Sequence, residues 1–286
     1  MRSKNKIRFR GHESFIIREG WLNKGLYEVS KNSKVFFENY GADDLGVGPN
    51  MAKAIRYWMR CSGFLNEEKK TEILLTDLGQ LILKKDRYFE DLFSLWIVHC
   101  NIARNEQQAT AWEIFFNEFD YEEFTREEME REILAIARRK AGEQEFAEKS
   151  VVDDCDAILR MYWKKNLSVA NPEEKNVSPF GVLGLLKYSN GVYSKVQPDF
   201  NRIPPEIVLY LMCGCMKAGK GMSIEELLRI EKGPGKILNM KRTGLVEILE
   251  KLEAAGKITM NRTAGLDMVY LPEKVKEEKI LENYYE

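Results

Sequence analysis

The chain has 286 residues, enough for two or three domains of ordinary size with buried cores. Its net charge of −1 excludes a uniformly basic protein that binds nucleic acid along its whole length. The charge is uneven, however. Residues 1–62 contain 12 Lys and Arg against 6 Asp and Glu, whereas residues 84–165 contain 13 against 19. We therefore expect nucleic acid to meet the N-terminal part, and the acidic middle to face solvent or a protein.

The composition also bears on redox state, metals and membranes. The five cysteines are scattered and the chain has two histidines, a combination that fits reduced thiols better than disulfides or a zinc site. We predict no metal ligands of this type. The longest apolar run, residues 207–216, is too short to span a membrane, and the basic first ten residues do not form a signal peptide. We expect a cytoplasmic protein with no membrane partner.

The N-terminal arm contains the densest group of chemically reactive side chains. His12 and Glu13 are adjacent, and Arg18 and Lys24 follow them. One interpretation makes His12 or Glu13 a general base or metal ligand, with Arg18 or Lys24 holding a phosphate. The alternative is structural: Glu13 pairs with Arg18, and His12 hydrogen-bonds a carbonyl and fixes the turn before a helix.

Residues 45–83 show the order of elements expected of a winged helix-turn-helix. A glycine-rich turn precedes Asn50, a predicted helix cap, and an amphipathic helix follows. Two short apolar segments, residues 64–65 and 73–75, then flank a charged turn and predict a two-stranded wing. Thr76 is predicted to cap a further helix.

One face of the helix after the glycine-rich turn is predicted to contact DNA. Three cations and one aromatic residue share this face at helical spacing: Lys53, Arg56, Tyr57 and Arg60. Cationic side chains bind phosphates and guanine edges, and no acidic residue of the helix lies beside them. We predict that these four residues, together with Lys24 and Asn50, bind nucleic acid. A protein-docking module would show a similar pattern, so the pattern indicates a fold more firmly than a function.

The middle of the chain, residues 84–165, predicts an all-helical acidic scaffold domain. Many apolar and aromatic residues begin this segment, and Thr125 with Glu128 forms a capping box before another helix. Three aspartates stand near the start of the last helix, residues 150–163. Carboxylates at that position complement the helix dipole and repel phosphate, and Mg²⁺ binding by them is the alternative.

The last third of the chain predicts an irregular linker and a second module. Residues 166–204 are rich in proline and glycine, with a hairpin around Asn190-Gly191. Residues 205–286 repeat the winged-helix order, and their long helix mixes cations with carboxylates, so we expect less contact with bases there.

Together these patterns predict a mainly α fold with small β wings. Two winged helix-turn-helix modules, residues 1–83 and 205–286, flank an all-helical middle domain and the linker.

A series of motifs carries a family resemblance. In chain order they are RGHESF, REGWLNKGL, LGVGPNMAKAIRYW, LWIVHCNIA with ATAWEIFFNEF, FTREEM and VSPFGVLGLL. From Phe9 to about Tyr210 the chain resembles the SspB family of bacterial DNA phosphorothioation proteins. The resemblance places the family's leading motif on Gly11, His12, Glu13, Phe15, Arg18, Trp21 and Lys24. It places the family's helix-turn-helix motif on Leu45, Gly46, Val47, Gly48, Asn50, Met51, Ile55, Arg56 and Trp58.

The resemblance implies a role in DNA modification and phage defence. It implies partners, namely a cysteine desulfurase, an ATP-binding sulfur-transfer enzyme and an ATPase, which together replace a non-bridging phosphate oxygen of DNA with sulfur. It also implies that the SspB-like member nicks DNA. If this chain nicks double-stranded DNA, we predict His12 and Glu13 as base or metal ligand, Arg18 as the phosphate ligand, and Mg²⁺ as the cofactor to test. The alternative is a non-enzymatic winged-helix regulator or protein-docking adaptor.

Overall fold

The structure is a computed structural model, and it describes residues 6–163, 178–217, 219–263, 266–272 and 275–286. These residues are mainly helical with small antiparallel sheets, which confirms the predicted fold class at this level. The chain forms two compact units, Met1–Lys195 and Val196–Glu286. The described residues of the predicted segments 1–83 and 84–165 both belong to the first unit. The N-terminal arm hydrogen-bonds to the second of these segments, through the backbone N–H groups of Ile7 to Gln144 and of Arg10 to Asp154.

The first unit contains helices and short strands in the following order. Its helices are α1 Trp21–Lys31, α2 Ala42–Leu45, α3 Pro49–Cys61, α4 Asp77–Lys85, α5 Leu92–Ala103, α6 Thr110–Asn117, α7 Arg126–Ala141 and α8 Glu148–Tyr162. Its strands are β1 Leu65–Asn66, β2 Leu74–Leu75, β3 Glu123–Phe124, β4 Leu186–Ser189 and β5 Val192–Lys195. Short 3₁₀ turns lie at Asn39–Gly41 and Pro179–Leu183. Strand β1 pairs with β2, and β5 lies between β3 and β4.

Helix α3 is the element around which the predicted site is built. It begins at Pro49, where the fixed φ of proline suits a helix and the missing N–H costs no hydrogen bond. Gly48 is the N-cap, so the prediction that Asn50 caps the helix is wrong; Asn50 lies exposed in the first turn. On the predicted apolar face Ile55, Trp58 and Met59 are fully buried and Met51 is half-buried, and α3 packs against α1 and α5.

A two-stranded hairpin and a capped helix follow α3. Leu65 faces Leu75 in the antiparallel pair β1–β2, one residue from the predicted strand positions. The Thr76 hydroxyl accepts a hydrogen bond from the Gly79 N–H at 3.1 Å, which confirms the predicted cap of α4.

The middle segment is helical except for one short strand. The capping box of Thr125 and Glu128 is present at the start of α7. The prediction of an all-helical middle misses β3, whose two residues are too few to show a strand period. Because β3 pairs with β5, the hairpin around Asn190-Gly191 completes a sheet with the middle segment.

The second unit has a three-stranded sheet and five helices within its described residues. The helices are α9 Pro205–Cys215, α10 Ile224–Arg229, α11 Pro234–Ile237, α12 Arg242–Ala254 and α13 Glu277–Tyr285, and the strands are β6 Met222–Ser223, β7 Thr259–Thr263 and β8 Leu266–Tyr270. A 3₁₀ turn, Phe200–Arg202, precedes α9. Strand β8 lies between β6 and β7. Within the ranges given above, none of the helices of either unit has the length and apolar character needed to cross a membrane.

Candidate functional site

An open pocket lies between the N-terminal arm and one face of α3. Its volume is about 230 Å³. We call its lining residues the basic pocket: Arg8, Gly11, Glu13, Tyr40, Lys53, Arg56, Tyr57 and Arg60. The pocket therefore brings the two regions singled out in the sequence, the arm and the α3 face, into one place.

Two of the cations share one carboxylate from the β1–β2 hairpin. Arg56 Nε and Nη2 each lie 2.8 Å from Glu67 Oε1, and Arg60 Nε donates to Glu67 Oε2. Glu67 belongs to the turn between β1 and β2. No acidic residue of α3 itself lies beside these cations, as the sequence indicates, but Glu67 contacts two of them from the β1–β2 hairpin. The three side chains remain 20–30% exposed.

The contacts of Glu67 with the two arginines keep Glu67 and Arg60 charged at neutral pH. Burial raises the pKa of Glu67, but the hydrogen bonds and positive charges of Arg60 and Arg56 outweigh burial and lower it overall. Burial lowers the pKa of Arg60, and the hydrogen bond and charge of Glu67 outweigh that effect and raise it. The result is two cations for one anion, which leaves a surplus positive charge.

Lys53 lies on the same face, next to an exposed aromatic ring. Its Nζ is 4.4 Å from the centroid of Tyr40, within cation–π range, and donates to Asn50 Oδ1 at 3.3 Å. Asn50 thus adjoins the basic pocket through Lys53.

The N-terminal arm forms the opposite wall of the pocket. The Arg8 backbone N–H donates to Thr110 Oγ1, and its guanidinium donates to Gln108 Oε1, each at 2.9 Å. At Gly11 the arm passes so close to α3 that a Cβ would lie 2.3 Å from the Tyr57 ring. Glycine is therefore required here for the arm to pack against the helix.

Tyr57 forms the floor of the pocket rather than an exposed contact. Its side chain is 2% exposed, and its hydroxyl donates to the Gln108 carbonyl at 2.8 Å. Burial raises the pKa of the phenol well above its ordinary value, so the hydroxyl stays a neutral donor. The prediction that Tyr57 lies on the exposed face is wrong, because the arm and the Gln108 carbonyl cover that part of α3.

His12 is a core residue. It is fully buried and stacks on Trp58 with ring centroids 5.6 Å apart, and its Nε2 is hydrogen-bonded with Asp154 Oδ1 at 2.8 Å. Asp154 also accepts the Arg10 backbone N–H at 2.9 Å. Burial raises the pKa of Asp154, while the hydrogen bond and charge of His12 act in the opposite direction. His12 therefore has a structural position, but the predicted carbonyl partner is wrong, because His12 hydrogen-bonds a carboxylate from α8.

Of the other two predicted catalytic residues, Glu13 lines the basic pocket and Arg18 does not. Glu13 has a left-handed backbone with φ +51°. Arg18 lies over two aromatic rings instead, 5.5 Å from the centroid of Phe15 and 5.2 Å from that of Trp21. Burial lowers the pKa of Arg18, and a nearby arginine adds to the effect. Lys24 donates to a backbone carbonyl of α2 at 3.3 Å, outside the pocket.

Comparison with known proteins identifies the family of this chain. The family model described as "Protein of unknown function (DUF4007)" matches residues 9–285. The chain belongs to the DUF4007 family. No curated protein matches this DUF4007 sequence.

Two solved structures resemble the DUF4007 chain over nearly its whole length. One is described as "SspB crystal structure", with 22% identity and a TM-score of 0.86, and covers 99% of this chain and 89% of that chain. The other is described as "Magnesium ion-bound SspB crystal structure", with 22% identity and a TM-score of 0.83, and covers 97% of this chain and 87% of that chain. The shared fold agrees with the SspB-like resemblance of the motifs.

The site contains residues that the sequence patterns did not single out. Tyr40 lines the DUF4007 pocket from a turn, and Glu67 contacts two of the pocket cations from a hairpin, so neither shares the helical period of α3. Arg8 was recognisable only as part of the basic arm. In the part of the chain that the structure describes, no group of three or more His, Cys, Asp or Glu side chains is arranged to hold a metal ion.

Proposed function

We propose that this DUF4007 chain binds double-stranded DNA through its basic pocket, as a component of a DNA phosphorothioation system. The observation that carries the proposal is the convergence of Arg8, Lys53, Arg56 and Arg60 on one open surface. Glu67 and the pocket carboxylate Glu13 offset only part of that charge. A concave surface with excess positive charge attracts the phosphate backbone.

The order of elements around α3 supports a winged helix-turn-helix in this proposal. Helices α1, α2 and α3 precede the hairpin β1–β2, and α4 follows it. Helix α3 then takes the position of the recognition helix and the hairpin that of the wing. Asn50, Lys53, Arg56 and Arg60 are the half-buried or exposed polar residues along its outer face.

The assignment to a phosphorothioation system rests on the SspB-like motifs and on the fold shared with two SspB structures. The proposed partners are the sulfur-transfer and ATPase proteins of such a system, together with DNA, in the cytoplasm.

The salt dependence of DNA binding tests the proposal. Replacing Lys53, Arg56 and Arg60 with Ala is expected to weaken duplex binding. It should also flatten the slope of log K against log salt by up to about three units, because each phosphate contact contributes close to one. Fluorescence anisotropy with a labelled duplex over a salt series measures both effects.

A matched variant controls for net charge. Arg131, Arg139 and Lys149 are exposed cations on α7 and α8, and replacing them with Ala removes the same charge from another surface. The proposal is refuted if the α3 variant keeps the wild-type slope, or if the control variant flattens it equally.

A second function, DNA nicking, is favoured by the position of Glu13. Glu13 lines the same pocket as the cations that would hold a phosphate, where a general base or a magnesium ligand is needed. One of the SspB structures is described as magnesium-bound, which makes Mg²⁺ the metal to test.

Supercoiled plasmid separates nicking from binding alone. Nicked circles are expected with Mg²⁺, and EDTA or Glu13→Gln should abolish them. Glu19→Gln, which changes an exposed carboxylate of the same arm outside the pocket, should retain activity. Tight sequence-specific binding without nicked circles would instead support a non-enzymatic regulator or adaptor.

A further inference from the structure

We propose that the basic pocket takes an unstacked nucleotide, with its base on the Tyr40 ring and its flanking phosphates on Lys53, Arg56 and Arg60. The inference rests on the proposed DNA-binding function and specifies its substrate. The preferred ligand is single-stranded or locally unpaired DNA, and continuous duplex is bound by charge alone.

Tyr40 is held at the pocket in an unusual conformation. It belongs to the 3₁₀ turn Asn39–Gly41, and its backbone is left-handed, with φ +56° and ψ +16°. L residues with large side chains rarely adopt this region, and such conformations cluster at ligand-binding sites. The turn is packed and hydrogen-bonded, because Gly41 is buried and its N–H donates to the Glu38 carbonyl at 2.7 Å.

The Tyr40 ring is available to a ligand. The side chain is 49% exposed, which is high for an aromatic residue beside a helix whose own aromatic rings are buried. The Lys53 ammonium, 4.4 Å from the ring centroid, keeps the ring next to the pocket cations. An exposed ring beside cations is the arrangement with which proteins bind single strands, because bases stack on the ring and cations follow the backbone.

The α3 cations can still bind phosphate although Glu67 contacts two of them. A guanidinium has five N–H donors, and Glu67 is contacted by Nε and Nη2 of Arg56 and by Nε of Arg60. Within the described part of the chain, the other N–H donors of the Arg56 and Arg60 guanidinium groups therefore remain available to a phosphate. Lys53 and Arg60 are seven residues apart, so the cations follow the helix for about 10 Å.

The pocket dimensions and the chemistry of stacking favour an unpaired base. A volume of about 230 Å³ lies below the roughly 300–1,000 Å³ typical of sites for drug-sized ligands, so it suits one base rather than a base pair. In a continuous duplex both faces of each base are covered by neighbouring pairs. The Tyr40 ring can stack only on a base that has left the helical stack.

The test compares three DNA probes of one sequence: a duplex, a single strand, and a duplex with one bulged 2-aminopurine. We measure dissociation constants by anisotropy for the full-length wild type and for Tyr40→Ala and Tyr40→Phe. Tyr88→Ala is the matched control, since Tyr88 is 65% exposed and lies 5.4 Å from the Arg87 guanidinium, away from the pocket. The bulged 2-aminopurine also reports stacking directly, through quenching of its fluorescence.

Tyr40→Ala is expected to weaken binding of the single strand and the bulged duplex by about 5- to 150-fold. Binding of the continuous duplex should change less than twofold. Tyr40→Phe should retain both the affinity and the quenching, because its ring still stacks, and Tyr88→Ala should match the wild type.

Two results overturn the inference and leave the proposed function intact. In the first, Tyr40→Ala binds every probe as tightly as the wild type does, while the variant with Lys53, Arg56 and Arg60 replaced by Ala loses affinity for all of them. The other is an equal loss for the continuous duplex and the single strand. If the wild type binds no probe even at low salt, both the inference and the proposed function fail.

Discussion

Glu67 is expected to limit the affinity of this protein for DNA, because its carboxylate holds Arg56 and Arg60 at the surface proposed to meet phosphate. Replacing Glu67 with Gln removes that negative charge and keeps the size of the side chain. The variant should therefore bind DNA more tightly than the wild type, a result opposite in sign to the loss expected from removing the cations.

The expected change in the salt dependence of DNA binding follows from the number of guanidinium groups that Glu67→Gln releases. Each of the two arginines gains the freedom to contact one more phosphate, so the slope of log K against log salt should steepen by up to about 1.8 units. The advantage of the variant over the wild type then shrinks by up to about 12-fold between 50 and 200 mM salt. The cost in free energy of unfolding is expected to be about 1 kcal/mol, because all three side chains are partly exposed to water.

Anisotropy titrations at several salt concentrations measure the effect, and urea unfolding confirms that the variant is folded. Glu68→Gln is the matched control, since Glu68 is the next residue of the same hairpin turn and is exposed. A folded Glu67→Gln variant that binds no more tightly than the wild type, with an unchanged slope, would refute the reasoning.

Three further predictions concern the walls of the pocket and the core behind it. Gly11→Ala should displace the arm and weaken DNA binding severalfold in anisotropy titrations, since its Cβ would lie 2.3 Å from the ring of Tyr57. His12→Ala should lower the free energy of unfolding in urea by roughly 3–5 kcal/mol, because it leaves the buried Asp154 carboxylate without its partner. Burial raises the pKa of Glu113 from 4.5 to about 7, so the folded protein retains a proton that the unfolded chain releases between these values. The free energy of unfolding of the wild type, measured against Glu113→Gln, should therefore fall by up to about 3 kcal/mol as pH rises through this range.

The elements that the sequence predicted best are those with a local cause. The buried face of α3 follows from the spacing of its apolar residues, and the caps at Thr76 and Thr125 follow from side chains that reach nearby backbone N–H groups. The hairpin around Asn190-Gly191 follows from the turn preference of that pair. Each of these depends on residues within a few positions, so one sequence is sufficient.

The site was predicted only in part, because tertiary contacts decide which side of α3 is open. The helical spacing placed Tyr57 with the three cations, but the arm and the Gln108 carbonyl cover it. The helical spacing could not predict the contact of Arg56 with Glu67, because Glu67 lies in the hairpin after α3. It also could not predict the contact of His12 with Asp154, which lies 142 residues further along the chain. His12 was predicted as a catalytic residue from its residue type alone, whereas in the structure it is a buried residue that packs on Trp58.

The ion pairs of the second unit explain why the proposal assigns DNA to the first. Arg242, at the start of α12, lies 2.7 Å from Glu225 and 2.6 Å from Asp267, so two carboxylates surround one cation. Arg262 on β7 pairs with Glu250 at 2.6 Å. On the α3 face the ratio of carboxylates to arginines is reversed, since two arginines share one carboxylate. Because phosphate must compete with carboxylates already in place, the surface around Arg242 is expected to attract DNA less than α3 does. Arg242→Ala should accordingly leave the salt slope of DNA binding unchanged.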